Sequence, residues 1–423
     1  MPRQSINDLM RELADRLASM AVSPAATIES RSPAQARKTD EKSKPLTLRA
    51  GSVSNLQDIA QNQSASLGQD FAERLNQETR DRYVKDKRLG EGTYAVVYLG
   101  YLKTDSSVKV AIKKIKVNAE YRDGLSMDAI REVKYLQELS HPNIIALHAV
   151  FSSKNQNLNL VLEYLPLGDL EMLIRDTNGI QYGAAEVKSW MNMLSQGVWF
   201  CHENFVLHRD IKPNNLFIAA DGEVKLADFG LARSFADPYR PMTYQVITRW
   251  YRPPELLMGA RFYSGAVDIW SVGMVFAELV LRSPFLPGTT DFNQLELICE
   301  GIGVPTEDFW SGVSKLDGFV RSDKTGSGQR DKSYFMGRFG TAGSVGVDLL
   351  MKMLELDPRK RCTARQTLEH RWWTIDPPPT AKEDLPKKGG GPAKMGEDLK
   401  RRGGEVDEVR GASVARKLDF GAI

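Results

Sequence analysis

Near Glu163 the hydrophobic pattern of this 423-residue chain changes period, and that change limits its fold more than any other feature. From Tyr83 to Glu163, short runs rich in β-branched and aromatic residues ("AVVYLGYL", "VKVAIKKI", "LNLVLEY") surround one stretch with helical spacing, "SMDAIREVKYLQEL". After Leu170 helical patterns dominate, among them "AAEVKSWMNMLSQGVWFCHEN" and "GAVDIWSVGMVFAELVL". The pattern predicts an α+β architecture: a small β-rich lobe over residues 83–162, a hinge at 163–165 and a larger helical lobe over 166–373. No internal repeat interrupts it.

The flanks have a different composition. Residues 1–80 read as a mostly disordered extension with one possible short helix, where Leu9, Leu13, Leu17 and Met20 recur at helical spacing. From about Ala21 to Gln69 the chain is rich in Ser, Ala, Gln and Lys and poor in aromatics, too little to pack a core. Ser23-Pro24 and Ser32-Pro33 there are either phosphorylation sites or plain linker chemistry. Residues 374–423 read as a mostly disordered tail of Pro, Gly, Lys and Glu. Its "KK" at 387 and "KRR" at 400 form either a bipartite nuclear signal or a solvated charge run, and Leu418 and Phe420 near its end either dock or stay loose.

Charge and cysteine content narrow the class. A net charge of +3 gives no basic footprint, so direct nucleic-acid binding is not expected. Three widely spaced cysteines without a CxxC argue against a disulfide framework or a cysteine zinc site. No apolar run reaches membrane-spanning length, and Asp8, Glu12 and Asp15 are unlike a signal or transit peptide. An intracellular protein with no membrane contact is expected.

Several short stretches carry chemistry. "GEGTYAVV" sets Gly90, Glu91 and Gly92 in a β-rich stretch, where backbone N–H groups can approach phosphates without side-chain obstruction; a hairpin with glycines is the plainer reading. A dinucleotide-binding turn would lead into a helix, whereas Val96, Val97 and Tyr98 continue as strand. Further on, Lys113 of "VAIK" emerges from apolar neighbours, and Glu132 on the predicted helix offers it an opposite charge that would aim it at α- and β-phosphates. In "HRDIKPNN", Asp210 can accept a hydroxyl proton, Lys212 can neutralise a transferring phosphoryl group and Asn215 can ligate a metal. "ADFG" adds Asp228, a carboxylate oxygen ligand suited to Mg²⁺. Glu255 in "RPPELL" and Arg361 in "DPRKR" are candidate partners in a buried ion pair.

Taken in order, GEGTYA, VAIK, AIRE, HRDIKPNN, DFG and PPE resemble the eukaryotic protein kinases over about Tyr83 to Trp373. Two positions depart, Ala95 at the third glycine and Pro253 at the Ala of APE, and neither removes a charged group. The resemblance implies a bilobal kinase fold that uses ATP and Mg²⁺. It further implies that Gly90, Val97, Ala111 and Leu216 line the adenine and ribose site, with hinge backbone at Glu163 and Leu165 and Leu162 as gatekeeper. Lys212 fits the serine/threonine pattern, and Thr248 is implied to bridge Asp210 and Lys212.

"VITRWYRPPELL" is similar to the group of cyclin-dependent and mitogen-activated kinases, in which Val246 and Arg252 would shape a groove for proline after the target residue. Gln245 stands where mitogen-activated kinases carry a tyrosine, which favours cyclin dependence, and "GLSMDAIREV" resembles a cyclin-binding helix through which cyclin would push Glu132 toward Lys113. Thr243 matches the activating threonine, and Arg131, Arg209 and Arg233 match the arginines that grip its phosphate. Asp237-Pro238 is either a fixed negative charge that partly substitutes for one phosphate or a plain turn, and Tyr94 is either an inhibitory phosphosite or a packing residue. "LLMGARFYSGAVDIW", "RSPFLPGTTDFNQL" and "ARKLDF" resemble the CDK-activating, TFIIH-associated kinases. Such a kinase would bind an H-type cyclin, an assembly subunit and the TFIIH core, act in the nucleus, and phosphorylate RNA polymerase II C-terminal repeats and other CDKs. A different, cell-cycle CDK is the runner-up. A pseudokinase scaffold conflicts with the intact Lys113, Glu132, Asp210, Asn215 and Asp228, and a small-molecule phosphotransferase would lack the segment from Thr243 to Glu255.

Overall fold

Alternation before Glu163 becomes a five-stranded antiparallel sheet in the order β1-β2-β3-β5-β4: β1 (Tyr83–Glu91), β2 (Ala95–Leu102), β3 (Asp105–Ile115), β4 (Leu147–Ser152) and β5 (Leu158–Glu163). The structure, a computed structural model, describes residues 71–91, 95–116, 126–153, 157–319 and 328–387. Period two divides the sheet. Val110, Ile112, Phe151 and Val161 form the core of one face, so the intervening Ala111 and Lys113 point to the other. Register completes that second face, because Val97 pairs with both Gly90 and Lys113 while Ala111 pairs with Leu162. Helix α1 (Met127–Glu138) starts at Ser126, whose hydroxyl accepts the Ala129 N–H, and buries Ala129, Glu132, Val133, Tyr135 and Leu136.

The second lobe is built on helices. α2 (Leu170–Arg175) and α3 (Ala184–Glu203) lead to short strands β6 (Val206–Leu207), β7 (Leu216–Ile218), β8 (Val224–Leu226) and β9 (Arg233–Ser234). After α4 (Pro254–Leu257), α5 (Ala266–Leu281) is buried from Val267 to Leu279, as a helix with apolar residues all round must be. α6 (Asp291–Gly301), β10 (Gly303–Val304), β11 (Gly328–Gln329), α7 (Lys332–Phe339), α8 (Gly343–Met353) and α9 (Ala364–Leu368) complete the lobe. Among the described residues, no helix is long and apolar enough to cross a membrane.

Both flanks hold more structure than their composition suggests. Residues 71–81 are helical, with Gln77 Nε2 donating to Asp81 Oδ2 at 2.6 Å. Past Trp373, the chain runs on along the lobe to Lys387. Lys188, fully buried, donates to the carbonyls of Ile375 at 2.7 Å and Pro377 at 2.6 Å. Lys382 pairs with Asp221 at 2.6 Å and Glu223 at 3.1 Å, and Leu385 is buried. Anchoring here comes from backbone carbonyls and two ion pairs, which an apolar count does not register. The expected short helix at 9–20, Ser23, Ser32, Gly92, Tyr94, the "KRR" run, Leu418 and Phe420 lie outside the described residues.

Arg361 locks the region after the activation segment to the helical core. It meets Glu255 through two bonds, Nη1 to Oε1 at 2.7 Å and Nη2 to Oε2 at 3.1 Å, also donates to the Ala266 carbonyl, and lies over the Trp270 ring. Both side chains are buried, so removing one partner strands the other's charge. Arg361→Met should therefore cost ~3–5 kcal/mol, and adding Glu255→Met should recover part of it. Urea unfolding of both variants measures this, and a loss under about 1 kcal/mol for the single variant would contradict it.

Candidate active site

Asp268, on fully buried α5, fixes the loop that carries the chemistry. Its Oδ2 accepts the His208 N–H and its Oδ1 the Arg209 N–H, both at 2.9 Å, and His202 Nε2 lies 3.0 Å from Oδ2. Burial opposes its charge, but the hydrogen bond and charge of His202, with the Arg209 N–H, hold it below the usual carboxylate range. Those bonds support Arg209 at φ 63°, a left-handed backbone that a non-glycine residue adopts at a cost. His208 accepts the Asp210 N–H at Nδ1 and faces the Ala227 carbonyl with Nε2 at 3.0 Å, so Nε2 carries the proton. Burial pushes its pKa down and keeps it neutral.

The loop so held gathers its charged groups around one hydroxyl. Thr248 Oγ1 donates to Asp210 Oδ1 and accepts from Lys212 Nζ, both at 2.8 Å, while Lys212 Nζ lies 3.1 Å from Asp210 Oδ2. Asn215 Nδ2 donates to the Asp210 carbonyl at 2.7 Å and to Oδ2 at 3.0 Å. The amide is thereby oriented, and its oxygen is the atom able to ligate a hard cation. Across the cleft Lys113 Nζ meets both Glu132 oxygens at 2.7 Å and stands 3.6 Å from Asp228 Oδ1. Asp228 is left-handed at φ 68°, and Phe229 behind it is fully buried edge-on against His208. An Asp228 carboxylate and an Asn215 amide fit Mg²⁺, which binds through few protein oxygens plus phosphates. Among the described residues, no group of three or more His, Cys, Asp or Glu is placed to hold a metal ion.

Above this site lies the apolar face defined by sheet register. Val97, Ala111, Leu162, Leu165 and Leu216 are all buried, and half-buried Glu163 links the lobes through Lys225 at 3.2 Å. Gly90 pairs with Val97 on that face, and Glu91 is held by Lys116 at 2.7 Å and by Arg88 at 2.5 Å.

The activation segment supplies a second cluster. Arg209 Nη1 donates to the Tyr263 hydroxyl at 2.9 Å, and that hydroxyl donates to the carbonyl of exposed Thr243 at 2.7 Å. Burial first, then the charges of Arg209, Arg240 and Arg131, lower the Arg233 pKa, which places four arginines in one field. Arg240 escaped the sequence reading. Arg131 is meanwhile paired with Asp128 at 3.0 Å.

Beside Thr248 the backbone turns back on itself. Ile247 has φ 69°, a conformation costly for a β-branched residue. Its carbonyl accepts from Arg252 Nη2 at 3.0 Å and Nε at 3.2 Å, the Val246 carbonyl accepts from Nε at 2.9 Å, and Asp291 holds Nη1 at 3.0 Å. Sequence reasoning found Val246 and Arg252 but not Ile247 or Asp291. Nothing in a β-branched side chain signals positive φ, and Asp291 reads as an ordinary first-turn acid. Asp268 left a usable sign, an acid near the start of an otherwise apolar helical run.

Comparison with known proteins agrees with this arrangement. Residues 83–373 match the protein kinase domain family. The serine/threonine-protein kinase KIN28 of Saccharomyces cerevisiae is 49% identical over 298 residues, 70% of this chain and 95% of that protein. Cyclin-dependent kinase 7 of Xenopus laevis is 45% identical over 325 residues, 76% and 88% of the two chains. A solved chain of the CAK complex from Chaetomium thermophilum bound to ATP-γ-S is 67% identical, with a TM-score of 0.73, covering 75% of this chain and 98% of that one. The chain belongs to the protein kinase family and is an ATP-dependent serine/threonine kinase. Within that family it is a proline-directed, cyclin-dependent kinase of the CAK type.

Arg252→Ala should free the Ile247 carbonyl to accept a substrate N–H. Preference for Ser-Pro over Ser-Ala peptides, read as a kcat/KM ratio, should then fall by ~5- to 150-fold, the equivalent of one unpaired donor at ~1–3 kcal/mol. An unchanged ratio would detach Arg252 from proline selection.

Proposed function

We propose that this kinase transfers the ATP γ-phosphate to Ser-Pro sites of the RNA polymerase II C-terminal repeats, and to the activation segments of other CDKs, as part of a nuclear TFIIH assembly. The observation that carries the transfer reading is the bridge of Asp210, Thr248 and Lys212 around one hydroxyl, next to a carbonyl already occupied by Arg252. Likeness to a CAK complex chain and to KIN28 supports the choice of substrate and partners.

Asp210 orients the substrate hydroxyl and accepts its proton, while Lys212 balances charge on the transferring phosphoryl group. Lys113, held by Glu132, grips the α- and β-phosphates. Asn215 and Asp228 would hold Mg²⁺, which when bound would supply positive charge to offset that of the phosphates. The adenine would lie against Val97, Ala111 and Leu216, with Leu162 behind it, hydrogen bonds to backbone at Glu163 and Leu165, and Gly90 and Glu91 beside the phosphates. A following proline has no N–H, so the Ile247 carbonyl engaged by Arg252 costs it nothing; any other residue would bury an unpaired donor there.

Phosphate on Thr243 draws Arg131, Arg209 and Arg233 together and orders the segment. An H-type cyclin holds α1 so that Glu132 stays on Lys113, a pair already formed in this chain, and an assembly subunit completes the complex. Two outcomes follow. Co-purified complex should phosphorylate polymerase heptads only when Ser-Pro is intact and Asp210 is native; Asp210→Asn activity within ~10-fold of native would remove Asp210 from the mechanism, where a general base contributes ~100-fold or more. Thr243→Ala should lower cyclin-bound activity and expose the activation segment to hydrogen exchange, whereas unchanged protection would sink the ordering role.

A further inference from the structure

Two carboxylates on α5 are buried, and only one of them, Asp268, is occupied with the catalytic loop. The other, Glu278, is 3% exposed, and its Oε2 accepts the Tyr251 hydroxyl at 2.6 Å. Tyr251 is itself buried and immediately precedes Arg252, the residue that holds the Ile247 carbonyl. From α2 comes Glu171, also buried, which accepts a bond from Asn214 of the catalytic loop and pairs with the outward-facing Arg175. Tyr182, ahead of α3, faces Glu278 too, and Arg282 lies over its ring at 4.2 Å. Glu278 thus touches the wall of the proline groove through Tyr251, while the neighbouring Glu171 touches the catalytic loop through Asn214.

We propose that Glu278 is a positioning residue for protein substrate: through Tyr251 it sets the proline-groove wall, and its ionisation decides how tightly the substrate segment is held. Burial raises its pKa, the Tyr251 bond opposes this, Glu171 adds to it and Arg175 subtracts, leaving the group at about 7. The sign follows. A carboxyl raised above its ordinary value favours the protonated folded form, and that advantage is lost as pH climbs from about 4.5 to about 7. Above 7, Glu278 carries its charge near Glu171, with Arg175 the cation that acts on it. Repulsion from Glu171 then shifts Glu278 and with it Tyr251 and the groove wall, loosening the substrate segment.

This inference rests on the Ser-Pro kinase reading above, and steady-state kinetics from pH 6 to 8.5 on the cyclin-bound complex with a heptad peptide test it. Peptide KM of the native enzyme should rise threefold or more across that range, while ATP KM should move by the same factor in native enzyme and variant. Glu278→Gln, which keeps the Tyr251 bond but cannot ionise, should flatten the peptide KM profile. Glu171→Gln should move its midpoint to lower pH and Arg175→Ala to higher pH, and the latter, a surface change, keeps the test open should Glu278→Gln not fold. A Glu278→Gln profile that matches the native one, or midpoints fixed in both other variants, overturns the proposal. Native enzyme that leaves the peptide unphosphorylated at every pH would instead overturn the kinase reading beneath it.

Discussion

The grip of the Asp268 carboxylate on two successive backbone N–H groups is the constraint on which the rest of the site depends. It is placed by α5, a helix too apolar to be anywhere but the centre of its lobe, and it stabilises a left-handed turn at Arg209. Because of that turn, Asp210 faces Thr248, the Arg209 side chain reaches Tyr263, and the His208 ring lies over Phe229. One buried acid therefore sets the orientation of the proposed base, the arginine proposed to bind phosphate and the turn proposed to bind metal together. Strain at a functional loop persists only where surrounding bonds over-determine it, and here they do.

The smaller lobe reaches its part of the site by another route. Antiparallel register, rather than any single bond, puts Gly90, Val97, Ala111, Lys113 and Leu162 on one face of the sheet. A slip of one residue would send Lys113 into the core now filled by Val110 and Ile112. Glu132 then matters twice, as the partner that holds Lys113 and as a buried acid whose charge needs that lysine. A partner that positions α1 acts on a pair poised at the junction of helix and sheet.

Substrate choice is a backbone matter. The groove wall is made by a strained isoleucine whose carbonyl is consumed by Arg252, itself fixed by Asp291. In the proposed mechanism, selectivity for proline arises because that carbonyl is unavailable, a form of discrimination that works by withholding an acceptor. Glu278 and Tyr251 stand directly behind this wall, so its geometry is tied to the buried charge of the helical core.

Much of this was legible in the residues themselves. Periodicity fixed a β-rich lobe followed by a helical one, since a period of two or 3.6 is a local property of the chain. The chemistry of "HRDIKPNN", "VAIK" and "ADFG" was equally local, because a carboxylate, an ammonium and an amide at short offsets can serve few purposes together. Folding alone decided what those side chains touch. Positive φ at Arg209 is supported by Asp268, far along the chain, and at Ile247 by Arg252, itself fixed by Asp291, and no propensity of Arg or Ile announces it. The roles of Asp268 and Glu278 depend on burial, and those of Asp291 and Arg240, like the docking of residues 374–387, on partners that only the fold brings together. Sequence determined which groups the protein brings to phosphoryl transfer; tertiary structure decided where each points, because direction and desolvation exist only once the lobes have packed.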